Sequence, residues 1–218
     1  MTLALLFDLD GTMVDTDALH IAAWNAVLAP LGRQIDADFY KARIMGFDAA
    51  ATGAALFPNA DLAAHLAYCA TKEAAFRSLV TQLEPTPGLP ELLDWADRRG
   101  LPKAVVTNAP RANAVLMLRG LGLADRFPVL VIGDELAHGK PHPLPYLTGL
   151  QHLGATAARA VAFEDSLSGM RAAVAAGLES VGIATAIAPA ALHAAGARLV
   201  VKDFTDPVLL ARLRALAG

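Results

Sequence analysis

One cysteine, Cys69, stands among 218 residues, which excludes an internal disulfide and every metal site built from several thiolates. Long apolar runs are also lacking near the start of the chain. The run there, Leu3–Phe7, is far too short for a secretory core or a membrane span and has no basic flank, so a cytoplasmic protein is expected. There is no basic stripe either. With 18 Lys and Arg against 21 Asp and Glu the net charge is -3, which favours neither nucleic acid nor an anionic membrane as a partner, and any anion has to be bound locally. What the chain does have is apolar bulk: 55% of residues are hydrophobic and 18% charged, as heavily buried strands and alanine-rich helices require. Nothing marks an exposed apolar patch, and a monomer is the default expectation.

Several short apolar runs end in polar or glycine-bearing turns: Leu3–Phe7, Ala104–Val106, Val129–Ile132, Ala160–Phe163, Ser180–Ala184 and Arg198–Val201. None alternates with polar residues, the pattern of strands buried on both faces. Helical stretches with clear stop signals lie between them. "LPELLDWADRRG" has Pro90 in its first turn and Gly100 after its last, "SLSGMRAAVAAG" ends at Gly177, and "DPVLLARLRALAG" opens on Asp206 and Pro207. This alternation predicts an α/β fold, a Rossmann-like open parallel sheet with helices on both faces.

Between Asp15 and Leu83 the alternation stops. Two stretches of helical period, "TDALHIAAWNAVLAPLG" and "DLAAHLAYCATKEAAFRSLVTQL", carry no convincing strand between them. The expected division is therefore a core of residues 1–14 and 85–218 and an inserted all-helical cap of residues 15–84, hinged on "VDTD" and the proline-rich "LEPTPG" and rocking to exclude water.

In an open parallel sheet, ligands bind where the strands end at their carboxyl side. The residues just after each run are Asp8 and Asp10, then Thr107 and Asn108, then Lys140 in "HGKPHP", then Glu164 and Asp165. Several carboxylates together raise one another's pKa and repel a phosphate unless a hard cation holds them ionised. Magnesium (Mg2+) fits, taking a carboxylate oxygen of Asp8, the backbone carbonyl of Asp10 and a carboxylate oxygen of Asp165. Glu164 is either a direct ligand or the holder of a metal-bound water, the second being favoured. Lys140 would cancel negative charge on Asp8 and the phosphate. Thr107, the Asn108 N–H and the N–H groups of the turn that begins at Leu9 would bond the non-bridging oxygens.

"DLDGT", "TN", "GKP" and "EDSLSG", in this order and spacing, resemble the four signatures of the haloacid dehalogenase superfamily of phosphotransferases, and the match spans the whole chain. The helical insert further resembles the subgroup with a small helical cap, which includes phosphoglycolate phosphatases, hexose phosphate phosphatases and beta-phosphoglucomutases. The resemblance implies that Asp8 is the nucleophile, forming an aspartyl phosphate, and that Asp10 is the general acid and base. Halide-displacing members lack the second aspartate, so dehalogenation is disfavoured. The expectation is a Mg2+-dependent phosphatase acting on a small phosphorylated metabolite. A beta-phosphoglucomutase-like isomerase is the alternative, and a phospho-accepting receiver domain the alternative of another class, with no need of a lid or of Asp10.

The same resemblance marks His20, in "DTDALHIAAW", and Lys72, in "KEAAF", as candidates for substrate contact, beside a solvated role for Lys72. Phe47 and Tyr68 are candidates for specificity. The chain departs from the family in two places. Leu144 stands where the lysine signature usually continues with an acid, and no arginine follows Gly46 in "MGFDAAATG", where sugar phosphomutases hold a second phosphate; Arg43 precedes it as a conceivable substitute. That absence favours the phosphatase. The remaining polar candidates read as structural: Asp15 and Asp17 as hinge and helix cap, Ser166 and Ser168 as turn and cap, His65 with Cys69 as packing, His138 and His142 as flanks of the site mouth. His152 and His193 read as surface or helix-end residues, and Trp24 and Trp95 as core.

Overall fold

The computed structural model describes residues 2–47 and 49–218. Strand β1 (Ala4–Phe7) is followed by α1 (Asp17–Leu28), α2 (Ala37–Arg43), α3 (Ala49–Leu56) and α4 (Leu62–Leu79). Then come α5 (Leu89–Arg98), β2 (Lys103–Thr107), α6 (Arg111–Gly120), β3 (Val129–Ile132), α7 (Leu144–Leu153) and β4 (Ala160–Glu164). The chain closes with α8 (Leu167–Ala175), β5 (Glu179–Ile183), α9 (Pro189–Ala194), β6 (Leu199–Val201) and α10 (Pro207–Ala217). It forms two compact units, Met1–Asp15 with Glu84–Gly218, and Thr16–Leu83. No helix among the described residues is long and apolar enough to cross a membrane.

The first unit holds a six-stranded parallel sheet among the described residues, ordered β3-β2-β1-β4-β5-β6, which bears out the expected fold class. Strand order reverses between β1 and β4, and an open sheet of this kind has its crevice at that reversal. Register aligns Phe7 with Phe163, so Asp8 and Glu164 leave neighbouring strands at the same height. The alternating residues of each strand serve two cores. Ala4, Leu6, Ala104, Val106, Ala160 and Ala162 pack with Tyr146 and Leu150 of α7 and Ala172 and Ala173 of α8. Small residues on that face let the helices sit close. A methyl group at Gly149 of α7 would already lie 2.9 Å from Leu6 Cδ2. On the other face Phe7 stacks on Phe163 at 4.7 Å between ring centroids, and Phe204 meets Phe163 edge-on at 5.4 Å.

The second unit buries Trp24, Leu28, Ile35, Tyr40, Ile44, Leu56, Phe57 and Cys69 together. Asn25 braces the turn after α1, exchanging bonds with the backbone of Ile35 at 2.8 and 3.0 Å. Helices α2 and α3 went unmarked in the sequence because 7 and 8 residues are too few for a periodic pattern to stand out. Asp17 is not the cap of α1; Thr16 precedes that helix, with no side-chain capping bond. Trp24 is core as expected, but Trp95 is only half-buried and lines a cavity of about 460 Å³ with residues of α5 and α10.

Candidate active site

The β1 turn is built by close approach. Gly11 has φ +76°, and a methyl group there would overlap the Asp165 carboxylate, so only glycine lets the chain turn under that side chain. Asp8 is buried, with its N–H bonded to Phe163 O at 3.0 Å, whereas Asp10 is half-buried and Leu9 between them is fully buried. The chain leaves the strand after Phe7, and the turn that follows puts the two acids in different environments. From the next strand Asp165, also buried, accepts from Thr12 Oγ1 at 3.1 Å. Oxygens of Asp8, Glu164 and Asp165 all lie within 4.8 Å of one another.

Lys140 closes the cluster. Its buried Nζ donates to Asp8 Oδ1 at 2.6 Å and to Glu164 Oε1. Burial pushes the Asp8 carboxyl up to about 7, the Lys140 charge opposing and the Glu164 charge adding to the rise. Burial alone would lower the Lys140 ammonium, but the charges of Asp8 and Glu164 outweigh it and hold the group above its ordinary value. Three buried carboxyl groups facing one ammonium leave an excess of negative charge. A hard divalent cation on these oxygens would relieve it, so the donor set fits one.

Thr107, at the end of β2, is buried, and its Oγ1 accepts from Ala109 N–H at 3.0 Å. That bond uses a lone pair and leaves the hydroxyl proton for another acceptor. The Asn108 side chain accepts from Lys140 N–H at 3.0 Å and donates to Lys140 O at 3.1 Å. It thereby ties down the lysine loop, a support that the sequence leaves unexplained where Leu144 replaces an acid.

The model of the haloacid dehalogenase-like hydrolase family matches residues 5–183. The chain belongs to this family. It is 32% identical over 180 residues to a phosphorylated carbohydrates phosphatase of Thermotoga maritima, covering 82% of this chain and 83% of that one. With the fructose-1-phosphate phosphatase of Escherichia coli it shares 35% over 181 residues, 82% of this chain and 95% of the other. The crystal structure of CbbY from Rhodobacter sphaeroides in complex with phosphate aligns with a TM-score of 0.81 at 30% identity, covering 94% and 96% of the two chains. As an enzyme the chain falls with the phosphoric monoester hydrolases of the haloacid dehalogenase type.

Among such hydrolases the acids, the threonine and the lysine are the part whose chemistry the sequence signatures expose; three further residues support this site, Thr12 and Gly169 at the ends of "DLDGT" and "EDSLSG" and Tyr146 outside any signature. Thr12 supports Asp165 and itself carries Thr86, whose Oγ1 donates to Thr12 O at 2.7 Å. Tyr146, on α7, is fully buried and donates to Glu164 Oε1 at 2.7 Å. Burial pushes its phenol well above the ordinary value, so it stays a donor. Gly169, at the first turn of α8, leaves the space that the Glu164 carboxylate fills. Tyr146, beyond the quoted "GKP", could have been found only by knowing which face of α7 meets the sheet.

Ser166 caps α8, accepting from Gly169 N–H at 3.0 Å, and also donates to Glu164 Oε2 at 3.2 Å. Glu164 is therefore held at both oxygens by protein donors, which the expected water-holding role did not include. Ser168 Oγ is buried without a hydrogen-bond partner among the described residues. His138 and His142 are exposed, with ring centroids 4.6 Å apart, and flank Lys140 in sequence.

In the helical unit Lys72 is not solvated. It is buried, its Nζ 2.8 Å from His20 Nδ1 and 2.9 Å from Glu73 Oε1, over the rings of Trp24 and Phe76. His20 is half-buried and stacks on Phe76 at 4.3 Å between centroids. An ammonium only donates, so with Lys72 charged the His20 Nδ1 is the acceptor of this bond. His65 bonds Phe57 O at 2.9 Å through Nε2, and Cys69 donates to Ala49 O, in keeping with packing roles. Arg43 is exposed at the end of α2, as is Phe47 beyond it, while Tyr68 stacks on Phe57 at 3.8 Å.

Proposed function

We propose that the chain is a Mg2+-dependent phosphatase that hydrolyses a small phosphorylated metabolite, a sugar phosphate or an organic-acid phosphate, through an aspartyl phosphate on Asp8. The observation that carries this is the buried Asp8 carboxylate paired with Lys140 at 2.6 Å, beside Glu164 and Asp165 at the sheet's reversal point. Asp8, Asp165, the Asp10 carbonyl and Glu164 would hold the cation, which when bound neutralises the acids and the phosphate so that anion meets anion.

The chain's own groups do the rest. Asp8 attacks phosphorus and the P–O bond to the leaving group breaks. Asp10 gives that alkoxide its proton, then takes one from the water that cleaves the aspartyl phosphate, so phosphate leaves and Asp8 is restored. Lys140 has three N–H donors; two serve Asp8 and Glu164, and the third serves a phosphate oxygen. Thr107, Leu9 N–H and Asn108 N–H bond the other oxygens, where charge collects. His20 and Lys72 contribute to substrate recognition. The relatives' names support the substrate class, since they act on phosphorylated carbohydrates, fructose 1-phosphate and phosphoglycolate. We take the enzyme to work in the cytoplasm as a monomer.

The test is a panel of phosphorylated metabolites with Mg2+, read as phosphate release. Turnover should vanish in excess chelator and fall below detection in Asp8→Asn. Full activity in that variant removes the nucleophile assignment. β-Glucose 1-phosphate with a bisphosphate primer should yield phosphate; glucose 6-phosphate formed in its place would establish the mutase.

A further inference from the structure

Glu164 is the most enclosed acid of the site, with no exposed surface, and it meets protein donors on both oxygens. Oε1 accepts from Lys140 Nζ and from Tyr146 Oη, the latter at 2.7 Å, while Oε2 accepts from Ser166 Oγ at the longer 3.2 Å. A carboxylate offers about four lone-pair directions, two on each oxygen. Oε1 is thus filled by Lys140 and Tyr146 together, and acceptor capacity remains on Oε2. Asp8, Glu164 and Asp165 each offer an oxygen within 4.8 Å of the others, and on Glu164 the phenol and the ammonium share Oε1.

Tyr146 is itself fixed. Its ring belongs to the core cluster beneath α7, and its face lies 5.1 Å from Lys140 Nζ, so the side chain touches both the acid and the ammonium it supports. The Glu164 carboxylate also fits against the first turn of α8, in the space that a methyl group at Gly169 would take. The carboxylate is held between a phenol and a helix backbone, and Lys140 is held by the carboxylate.

We infer that Tyr146 is a positioning residue: its hydroxyl occupies Glu164 Oε1 beside Lys140, and so presents Glu164 Oε2 to the cation and Lys140 to Asp8. The inference rests on the Mg2+ site proposed above. Outer groups of this kind typically change metal affinity or activity by about 10–100-fold.

The experiment compares the native chain with Tyr146→Phe, which keeps the ring and its packing, and with Tyr146→Leu, which loses both ring and hydroxyl. Mg2+ binding is measured by titration calorimetry on the full chain without substrate, and kcat and KM with p-nitrophenyl phosphate. Tyr146→Phe should bind Mg2+ at least about 10-fold more weakly and lose a similar factor in kcat at saturating Mg2+, with KM within about 3-fold of native. A Tyr146→Phe protein that matches the native chain in Kd and kcat, while Tyr146→Leu loses both, overturns the inference and leaves the phosphatase assignment standing. A native chain that binds no Mg2+ overturns both.

Discussion

Replacing Gly169 with alanine sets two physical effects against each other. Gly169 lies in the first turn of α8 with ordinary helical backbone, so helix propensity alone favours alanine by about 0.5–1 kcal/mol. The added methyl group, however, would overlap Oε1, Oε2 and Cδ of Glu164. The methyl group pushes on α8, at about 1–3 kcal/mol for overpacking, and also displaces the carboxylate from at least one of Lys140, Tyr146 and Ser166. Each hydrogen bond to a charged group contributes about 1.5–3 kcal/mol, and the displaced carboxylate has no water to turn to. Overpacking plus the loss of one such bond, less the helix term, leaves a net destabilisation of about 2–5 kcal/mol. In a chain of this size that lowers Tm by about 4–20 °C, since about 2–4 °C accompany each kcal/mol. Thermal unfolding followed by circular dichroism measures it, with phosphatase activity recorded at a temperature where the variant is folded; activity should drop at least about 10-fold as Lys140 loses its anchor. A Gly169→Ala protein with unchanged or raised Tm and full activity would refute the packing of Glu164 described above.

Thr12→Val removes the hydroxyl that donates to the buried Asp165 and keeps the volume, so stability should fall by about 1–2 kcal/mol and Mg2+ affinity by about 10-fold. Calorimetric titration showing native affinity would separate Thr12 from the metal site. Away from the site, Asp97 accepts from Lys103, which is buried at the start of β2, and from Arg126 Nε at 2.9 Å. Burial pushes the Asp97 carboxyl up, but these cationic donors outweigh it and hold it below the ordinary value. Its stabilisation is therefore present above the unfolded carboxyl's pKa of about 4 and is lost as pH falls through the lower folded value. Discounted for exposure of the carboxylate, Asp97→Asn should cost about 0.5–1 kcal/mol at neutral pH and progressively less below about pH 4. Urea unfolding of both proteins across that range checks it; a pH-independent difference would contradict the assignment.

The parallel sheet was legible because a strand buried on both faces cannot alternate, and runs such as Leu3–Phe7 and Val129–Ile132 do not. The candidate acids were legible for a related reason: Asp8, Glu164 and Asp165 stand at the ends of such runs and Asp10 two residues beyond Asp8, so finding the strand end finds the cluster. Legibility failed where one residue's meaning depends on another element. Thr12, Tyr146 and Gly169 look like ordinary turn and helix residues until β4 brings Glu164 and Asp165 against them. Lys72 reads equally as a substrate contact or a solvated lysine, because nothing local says that α4 packs it over Trp24 and beside His20.

By itself the sequence determined the strand ends, and with them the acids, the threonine and the lysine that gather there, because burial period and strand termini are properties of a few consecutive residues. Only the tertiary structure decided how Glu164 is used. Its two oxygens are divided among Lys140, Tyr146 and Ser166, drawn from a loop, a helix and a cap, and which donors a buried carboxylate meets is a matter of long-range packing.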